Sequence, residues 1–217
     1  MNIIWEDKHL LLVHKEAGEA TQTKRLGEPD IVSKAKVHIQ NPYVAVINRL
    51  DQPVEGIVLL AKTKDAAAKL SKQLQDNKIQ KFYYALISGR LDEPEGTLEH
   101  YIKKNGKTNL SQVVSEKDPE GKKAILHYRV KESFEDKQLV DIHLITGRHH
   151  QIRVQFSATG HPLLGDRKYG RDESGLRQVA LCAYKLEFVH PVTGKQISYQ
   201  ITPNQKNLRE LLGEENS

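Results

Sequence analysis

Cysteine is nearly absent from this chain. Cys182 is the only one among 217 residues, so no disulfide can close within the chain and no Cys-x-x-Cys spacing serves zinc or redox chemistry. A reducing, cytoplasmic setting is the expectation. Long apolar runs are also missing: the stretch 56–61 falls far short of the about 20 residues that span a bilayer. The opening Met1-Asn2-Ile3-Ile4-Trp5-Glu6-Asp7 has no basic segment followed by an apolar one, so no export signal is expected. No repeat or low-complexity segment stands out. Neither the Gly-x-x-x-x-Gly-Lys-Ser/Thr loop nor the Gly-x-Gly-x-x-Gly fingerprint occurs, and no nucleotide cofactor is expected. Ten histidines invite a metal reading. Yet His149 and His150 are adjacent, whereas a chelating helical pair sits at i, i+4. The other eight are scattered with no Cys or Glu at ligand spacing. No metal is expected.

What the chain does have is charge with a basic excess. Lys and Arg total 33 against 28 Asp and Glu, for a formal charge of +5, and the pI is about 9.1. Hydrophobic residues make up 38%, enough for a packed core and too few for a membrane protein. A basic balance points to a polyanionic partner, without naming it.

Short apolar runs at 3–5 and 10–13, split by Glu6-Asp7-Lys8, read as two strands and a turn. Asp30 can cap a helix over 30–39 that puts Ile31, Ala35 and His38/Ile39 on one face. An extended segment at 44–47 and a buried strand at 56–62 follow. The clearest helix starts at a Thr63 or Asp65 cap, sets Ala67, Leu70 and Leu74 in one stripe, and breaks at 76–78. Strands are expected at 80–88, 97–102, 124–130, 139–145, 180–189 and 196–201, with turns at 103–107 and 118–121. Helices are expected at 149–158 and 205–212, the latter running into an acidic tail at 214–217. Strands outnumber helices without β-α-β alternation, so the expected class is α+β with a large, mainly antiparallel sheet flanked by helices and loops. No linker divides the chain, and a single domain over 1–217 is expected.

Three places carry candidate chemistry. Asn48-Arg49-Leu50-Asp51 ends an extended segment just before a Pro-containing turn, where a carboxylate can face a cleft or simply cap the turn. On the strand over 80–88, alternation puts Lys81, Tyr83 and Ala85 on one face and Phe82, Tyr84 and Leu86 on the other. A Tyr beside a Lys can stack on a base while the cation meets phosphate, or both can pack in a core. Arg148, four residues before Ile152, stands at a strand-to-helix junction. The helix dipole disfavours a cation there, which implies a carboxylate or phosphate partner or a surface ion pair. The lysines at 62, 64, 69, 72, 78 and 81 either track phosphates or form a solvated face.

Five patches in order resemble the pseudouridine synthases of the RluA type. Ile4-Trp5-Glu6-Asp7-Lys8-His9-Leu10-Leu11-Leu12-Val13-His14-Lys15-Glu16-Ala17-Gly18 is similar to the family's entry strands and Lys-Pro-x-Gly turn. Asn48-Arg49-Leu50-Asp51-Gln52-Pro53-Val54-Glu55-Gly56 echoes His-Arg-Leu-Asp-x-x-Thr-Ser-Gly. Lys81-Phe82-Tyr83-Tyr84-Ala85 fits Lys-x-Tyr-x-Ala. Arg148-His149-His150-Gln151-Ile152-Arg153-Val154-Gln155 corresponds to Arg-Thr-His-Gln-Ile-Arg-Val-His. Gly160-His161-Pro162-Leu163-Leu164-Gly165-Asp166 with Tyr169-Gly170 matches the loop after it.

The resemblance implies the pseudouridine synthase catalytic fold and an isomerase acting on a uridine of ribosomal or transfer RNA without metal or organic cofactor. It implies Asp51 as the catalytic aspartate, Tyr83 as the tyrosine against the target base and Arg148 as the arginine paired with Asp51. Arg49, Lys81 and Ile152 fall on the RNA and substrate side, Arg49 as the residue that fills the gap left by the uridine. The departures are Asn48 for His, Glu16 for Pro, Val54-Glu55 for Thr-Ser, His149 for Thr and Gln155 for His. Glu55 is expected to put a negative charge near the site. The pattern begins at residue 3, so no N-terminal S4-like module is expected, and a monomer without an obligate protein partner is the default. The alternative is a catalytically silent RNA-binding protein on the same scaffold; a glycoside hydrolase lacks a visible second carboxylate.

Overall fold

Asp7 folds the chain's first hairpin. Its Oδ1 accepts from the backbone N–H of His9 (2.8 Å) and Leu10 (2.7 Å), closing a turn between β1 (Asn2–Glu6) and β2 (Leu10–Lys15). The structure, a computed structural model, describes residues 1–23, 27–170 and 174–213; the acidic tail read at 214–217 lies outside the described residues. The chain divides into two compact units, Met1–Gln80 with Ala183–Asn204, and Lys81–Cys182 with Gln205–Ser217. The elements are strands with few helices, an α+β fold.

In the first unit, β2 pairs antiparallel with β1 and with β4 (Glu55–Ala61), and β4 also takes the two-residue β3 (Ala45–Val46). Every residue of β2 and β4 is buried, which is why both read as continuous runs rather than alternations. Gly56 has φ +140°, and a Cβ there would lie 2.5 Å from the Ala183 carbonyl oxygen and 2.6 Å from its nitrogen. Only glycine fits that approach. Helix α1 (Ile31–Ile39) opens on the expected Asp30: its side chain accepts from Ser33 N, and Ser33 Oγ accepts from Asp30 N. Helix α2 (Lys64–Gln75) is capped by Thr63 rather than Asp65. Its Ala66, Ala67 and Leu70 close a core with Leu10, Leu12, Ile57 and Leu59, where each fully buried Leu or Ile contributes roughly 1.5–3 kcal/mol.

The second unit holds most of β5 (Gln80–Ser88), followed by β6 (Glu95–Asn105), β7 (Leu110–Val114), β8 (Lys122–Ser133) and β9 (Lys137–Leu144). They pair antiparallel in the order β5-β9-β8-β6-β7. Helix α3 (Gln151–Ala158) lays Val154 against Ile102, Ala124 and Val113. β7 was not expected, because Leu110-Ser111-Gln112-Val113-Val114 neither alternates nor runs apolar. Its strand character comes from pairing with β6. β10 (Leu181–Val189) passes from the second unit into the first, where it pairs antiparallel with β11 (Gln196–Gln200). The expected helix at 205–212 is a single turn, α4 (Lys206–Arg209), followed by a 3₁₀ turn, Glu210–Leu212.

Candidate active site

In the first unit the residues around Asp51 are fixed from both sides. Thr21 Oγ1 donates to the Leu50 carbonyl at 3.0 Å and accepts from Leu50 N at 3.4 Å. The Gln52 carbonyl accepts from Gly18 N at 2.8 Å, and the Asp51 carbonyl accepts from Val54 N at 3.0 Å, closing the Pro53 turn. Just upstream, the buried Asn48 amide donates to the Ile57 carbonyl (2.9 Å) and accepts from Leu59 N (2.7 Å). A carboxylate on so restrained a turn has its direction set by the backbone before any ligand arrives.

Beneath this turn lies a cation that sequence reasoning left unassigned. Lys15 is fully buried, and its ammonium donates to the carbonyls of Glu16 (3.0 Å), Glu19 (2.7 Å) and Gln52 (3.1 Å). Burial lowers its pKa from 10.5 to about 8, against the opposing pull of the Glu19, Asp51, Glu55 and Glu16 carboxylates. The signal in the sequence was its place in the entry-turn patch; nothing local told that the side chain would reach across to residue 52.

Arg49 is exposed, with Nη2 donating to Gln22 Oε1. It lines an open groove of about 270 Å³ with Thr21, Gln22, Thr23, Glu28 and Gln52. Glu55 differs from the expectation. It is fully buried on β4, where Oε1 accepts from Asn204 N (2.5 Å) and bonds His14 Nε2 (2.7 Å). Its charge is thus spent inside the unit and is not presented to RNA.

In the second unit β5 sets Lys81 and Tyr83 on one face, as the alternation predicted, and both are buried, at 7% and 6% exposure. Tyr83 stands opposite Ile142 of β9. Burial, and secondly the nearby Arg148, lower the Lys81 pKa from 10.5 to about 8.

Arg148 lies before the helix, as the junction reading expected, but α3 starts two residues later than the expected 149. His150 takes a left-handed conformation (φ 54°), so the segment before it is a turn and α3 begins at Gln151. Gln151 builds that turn. Its Oε1 accepts from Arg148 N (2.9 Å) and Thr146 Oγ1 (2.8 Å), its Nε2 donates to the Ile125 carbonyl (3.1 Å), and its N–H donates to the Arg148 carbonyl (3.1 Å). Arg148 is exposed, and within its own unit Nε donates to the Lys123 carbonyl at 2.8 Å. Ile152 is buried at 4% exposure and packs in the interior of the second unit.

Downstream residues brace this turn. Arg153 and Asp166, both buried, make a bidentate pair (Nε–Oδ2 and Nη2–Oδ1, each 2.7 Å), with the guanidinium over the Tyr169 ring. The Tyr169 hydroxyl bonds His150 Nδ1 at 2.7 Å and accepts from Ser111 N at 2.7 Å, while His149 Nδ1 bonds Ser111 Oγ at 2.9 Å. The two histidines are therefore braces. Among the described residues no three His, Cys, Asp or Glu side chains gather at a metal-binding distance. Most lysines of α2 and its flanks meet carboxylates: Lys62 with Glu6, Lys69 with Asp65, Lys72 and Lys78 with Asp76. That is the signature of a solvated, ion-paired face.

Residues 9–158 match the family model described as RNA pseudouridylate synthase. The chain is 34% identical over 204 residues to the uncharacterized RNA pseudouridine synthase YhcT of Bacillus subtilis (strain 168), covering 91% of this chain and 67% of that one. It is 32% identical over 195 residues to the dual-specificity RNA pseudouridine synthase RluA of Vibrio parahaemolyticus, covering 88% and 78%. Among solved structures, human RNA pseudouridylate synthase domain containing 4 shares the fold at a TM-score of 0.80 and 19% identity, over 98% of this chain and 92% of that one. The human domain containing 1 does so at 0.78 and 22%, over 93% and 83%. A turn that pins an aspartate, a tyrosine on a buried strand face and an arginine held at a braced turn thus occur in a chain that belongs to the RNA pseudouridylate synthase family.

Proposed function

We propose that this RNA pseudouridine synthase uses Asp51, Tyr83 and Arg148 as its reacting set, on a uridine of ribosomal or transfer RNA. The observation that carries the assignment is the Asp51 turn, held by Thr21, Gly18, Lys15 and Val54 on both sides of the carboxylate. The relatives' names point to the RNA: one is a ribosomal large subunit pseudouridine synthase D from Zymomonas mobilis, 30% identical over 219 residues.

Isomerisation breaks the bond from uracil N1 to the sugar C1′, turns the base and joins its C5 to the same carbon. Breaking that bond leaves positive character on the sugar, which an ionised carboxylate at Asp51 stabilises or captures. The uridine must leave its stack first, at a cost of a few kcal/mol. Arg49, exposed two residues from Asp51, is suited to fill the gap and offset part of that cost. Tyr83 offers a flat ring to stack on uracil and a hydroxyl that can relay a proton. Arg148 supplies a charge that persists across the working pH range and suits an oxyanion or carboxylate. Lys81 and Ile152 are assigned to the RNA and substrate side, both of them buried.

The family match crosses residues of both compact units, which supports reading the chain as one catalytic domain. No helix of the described residues is long and apolar enough to cross a membrane. Cytoplasmic placement and action as a monomer complete the reading. The test is to map pseudouridines in ribosomal and transfer RNA from cells with and without the gene, and to attempt rescue with Asp51→Ala. Sites that vanish on deletion, return with wild type and stay absent with Asp51→Ala are expected. Return with Asp51→Ala removes the aspartate from its role.

A further inference from the structure

Glu55 is an acid buried where the strand pattern calls for an apolar residue. It has no exposed surface, and the rest of β4 is apolar and buried as well. Its face of the sheet is the one on which Ile57 and Leu59 meet Leu10 and Leu12 of β2 in the core. His14 shares that face. It stands opposite Ile57, hence diagonal to Glu55, and is 5% exposed. Two groups meet Glu55 Oε1: His14 Nε2 at 2.7 Å and the Asn204 N–H at 2.5 Å. Burying such a pair costs free energy, and apolar residues of similar volume are often as stable or more so. Stability therefore gives no reason for the pair.

Its position does. Glu55 follows Val54, whose N–H closes the turn on the Asp51 carbonyl. The upstream end of that turn is fastened by Thr21 at Leu50 and by the Asn48 amide at Ile57 and Leu59. The downstream end is fastened through Glu55, to β2 by His14 and to the segment after β11 by Asn204. The Glu55 and Asp51 carboxylates also both act on the Lys15 ammonium, so the two acids stand around one buried cation. All of these residues belong to the first unit.

We propose that His14 and Glu55 are positioning residues for Asp51, a buried pair retained for the geometry it gives the turn rather than for stability. The inference rests on the reading that Asp51 is the reacting carboxylate. Neither residue touches substrate. A charged acceptor makes shorter and stronger hydrogen bonds than a neutral one, and a reacting group displaced by about 1 Å loses rate steeply. Removing the pair therefore moves rate and stability in different directions, which a merely structural pair does not do.

The test compares wild type with His14→Leu/Glu55→Met, which replaces the pair by apolar side chains of similar volume, and with Glu55→Gln, which keeps an oxygen for His14 and Asn204. Single-turnover product formation is followed as tritium released from RNA labelled at uracil C5, and RNA affinity by filter binding. Thermal melts read stability, and hydrogen exchange at the Val54 amide reads the turn. The double variant should turn over about tenfold slower or more, the scale of a misplaced reacting group, with RNA affinity unchanged. Its melting temperature should equal that of wild type or exceed it. Its Val54 amide should exchange about tenfold faster, while the Ala66 amide at the start of α2 keeps its wild-type rate. Glu55→Gln should lose less in both rate and exchange protection. A melting temperature below wild type in the double variant makes the pair structural and overturns the proposal, as does an unchanged rate. Wild type alone tests the reading beneath. If it releases no tritium while Val54 exchange still depends on the pair, the reaction is lost and the hold on the turn stands. If it releases tritium and the Val54 amide is indifferent to the pair, only the positioning is lost.

Discussion

Replacing Lys15 by Met tests how the Asp51 turn is held. The side chains are similar in length, so the change removes the charge and three donated hydrogen bonds without opening a large cavity. The carbonyls of Glu16, Glu19 and Gln52 each lose a hydrogen bond from a charged group, worth about 1.5–3 kcal/mol apiece, while Glu19 N still donates to Glu16 and Gly18 N to Gln52. Against this, the cost of burying the charge disappears. A lysine brought from 10.5 to about 8 carries a penalty of about 3 kcal/mol on its charged form. The balance is a net loss of about 2–6 kcal/mol, an order of magnitude expected when a buried charged network loses one member. In urea this corresponds to a midpoint lower by roughly 1 M or more at unchanged m. The pH dependence has a definite sign. Between pH 8 and 10.5 the unfolded chain keeps a proton that folded Lys15 has released, so wild-type stability rises with pH there. Lys15→Met lacks that rise, and its deficit should widen as pH climbs from 8. Turnover should fall with stability, because the Gln52 carbonyl next to Asp51 is then held by Gly18 N alone. An unchanged urea midpoint with unchanged turnover refutes the reasoning.

Three further outcomes are expected. Lys81→Met should be more stable than wild type by about 1–3 kcal/mol below pH 8, with the gap closing as pH rises toward 10.5, because burial and Arg148 depress this lysine too; urea titrations at several pH values check it. Gly56→Ala should lose about 3 kcal/mol or more, because its Cβ would meet the Ala183 backbone and its φ is left-handed; thermal melts read this directly. Tyr83→Phe should keep most of the turnover while Tyr83→Ala loses roughly 10- to 100-fold, the span of 1–3 kcal/mol of base stacking; equal losses in single-turnover assays assign the work to the hydroxyl instead.

Local pattern carried a good part of the fold. Asp30 before an apolar stripe, Thr63 before Ala67 and Leu70, and the alternation on β5 each describe interactions within a few residues, which a sequence displays. The rest depends on partners far apart in the chain. Thr21 reaches Leu50 and Lys15 reaches Gln52 across stretches that carry no periodicity, so the clamp on Asp51 stayed hidden although Asp51 itself did not. Glu55 was expected to put its charge near the site because its partners, His14 and Asn204, come from opposite ends of the chain. The start of α3 was placed at His149, two residues early, because nothing in Arg148-His149-His150-Gln151 announces a left-handed His150; the Gln151 side chain makes that turn possible by replacing backbone partners.

The central claim is that Asp51 performs chemistry on uridine in RNA. Purified wild type and Asp51→Asn should be given RNA tritiated at uracil C5, the position that loses its hydrogen when the new carbon–carbon bond forms. Release of tritium by wild type, none by Asp51→Asn, and equal RNA affinity for both is the predicted result. Release by Asp51→Asn at the wild-type rate contradicts it.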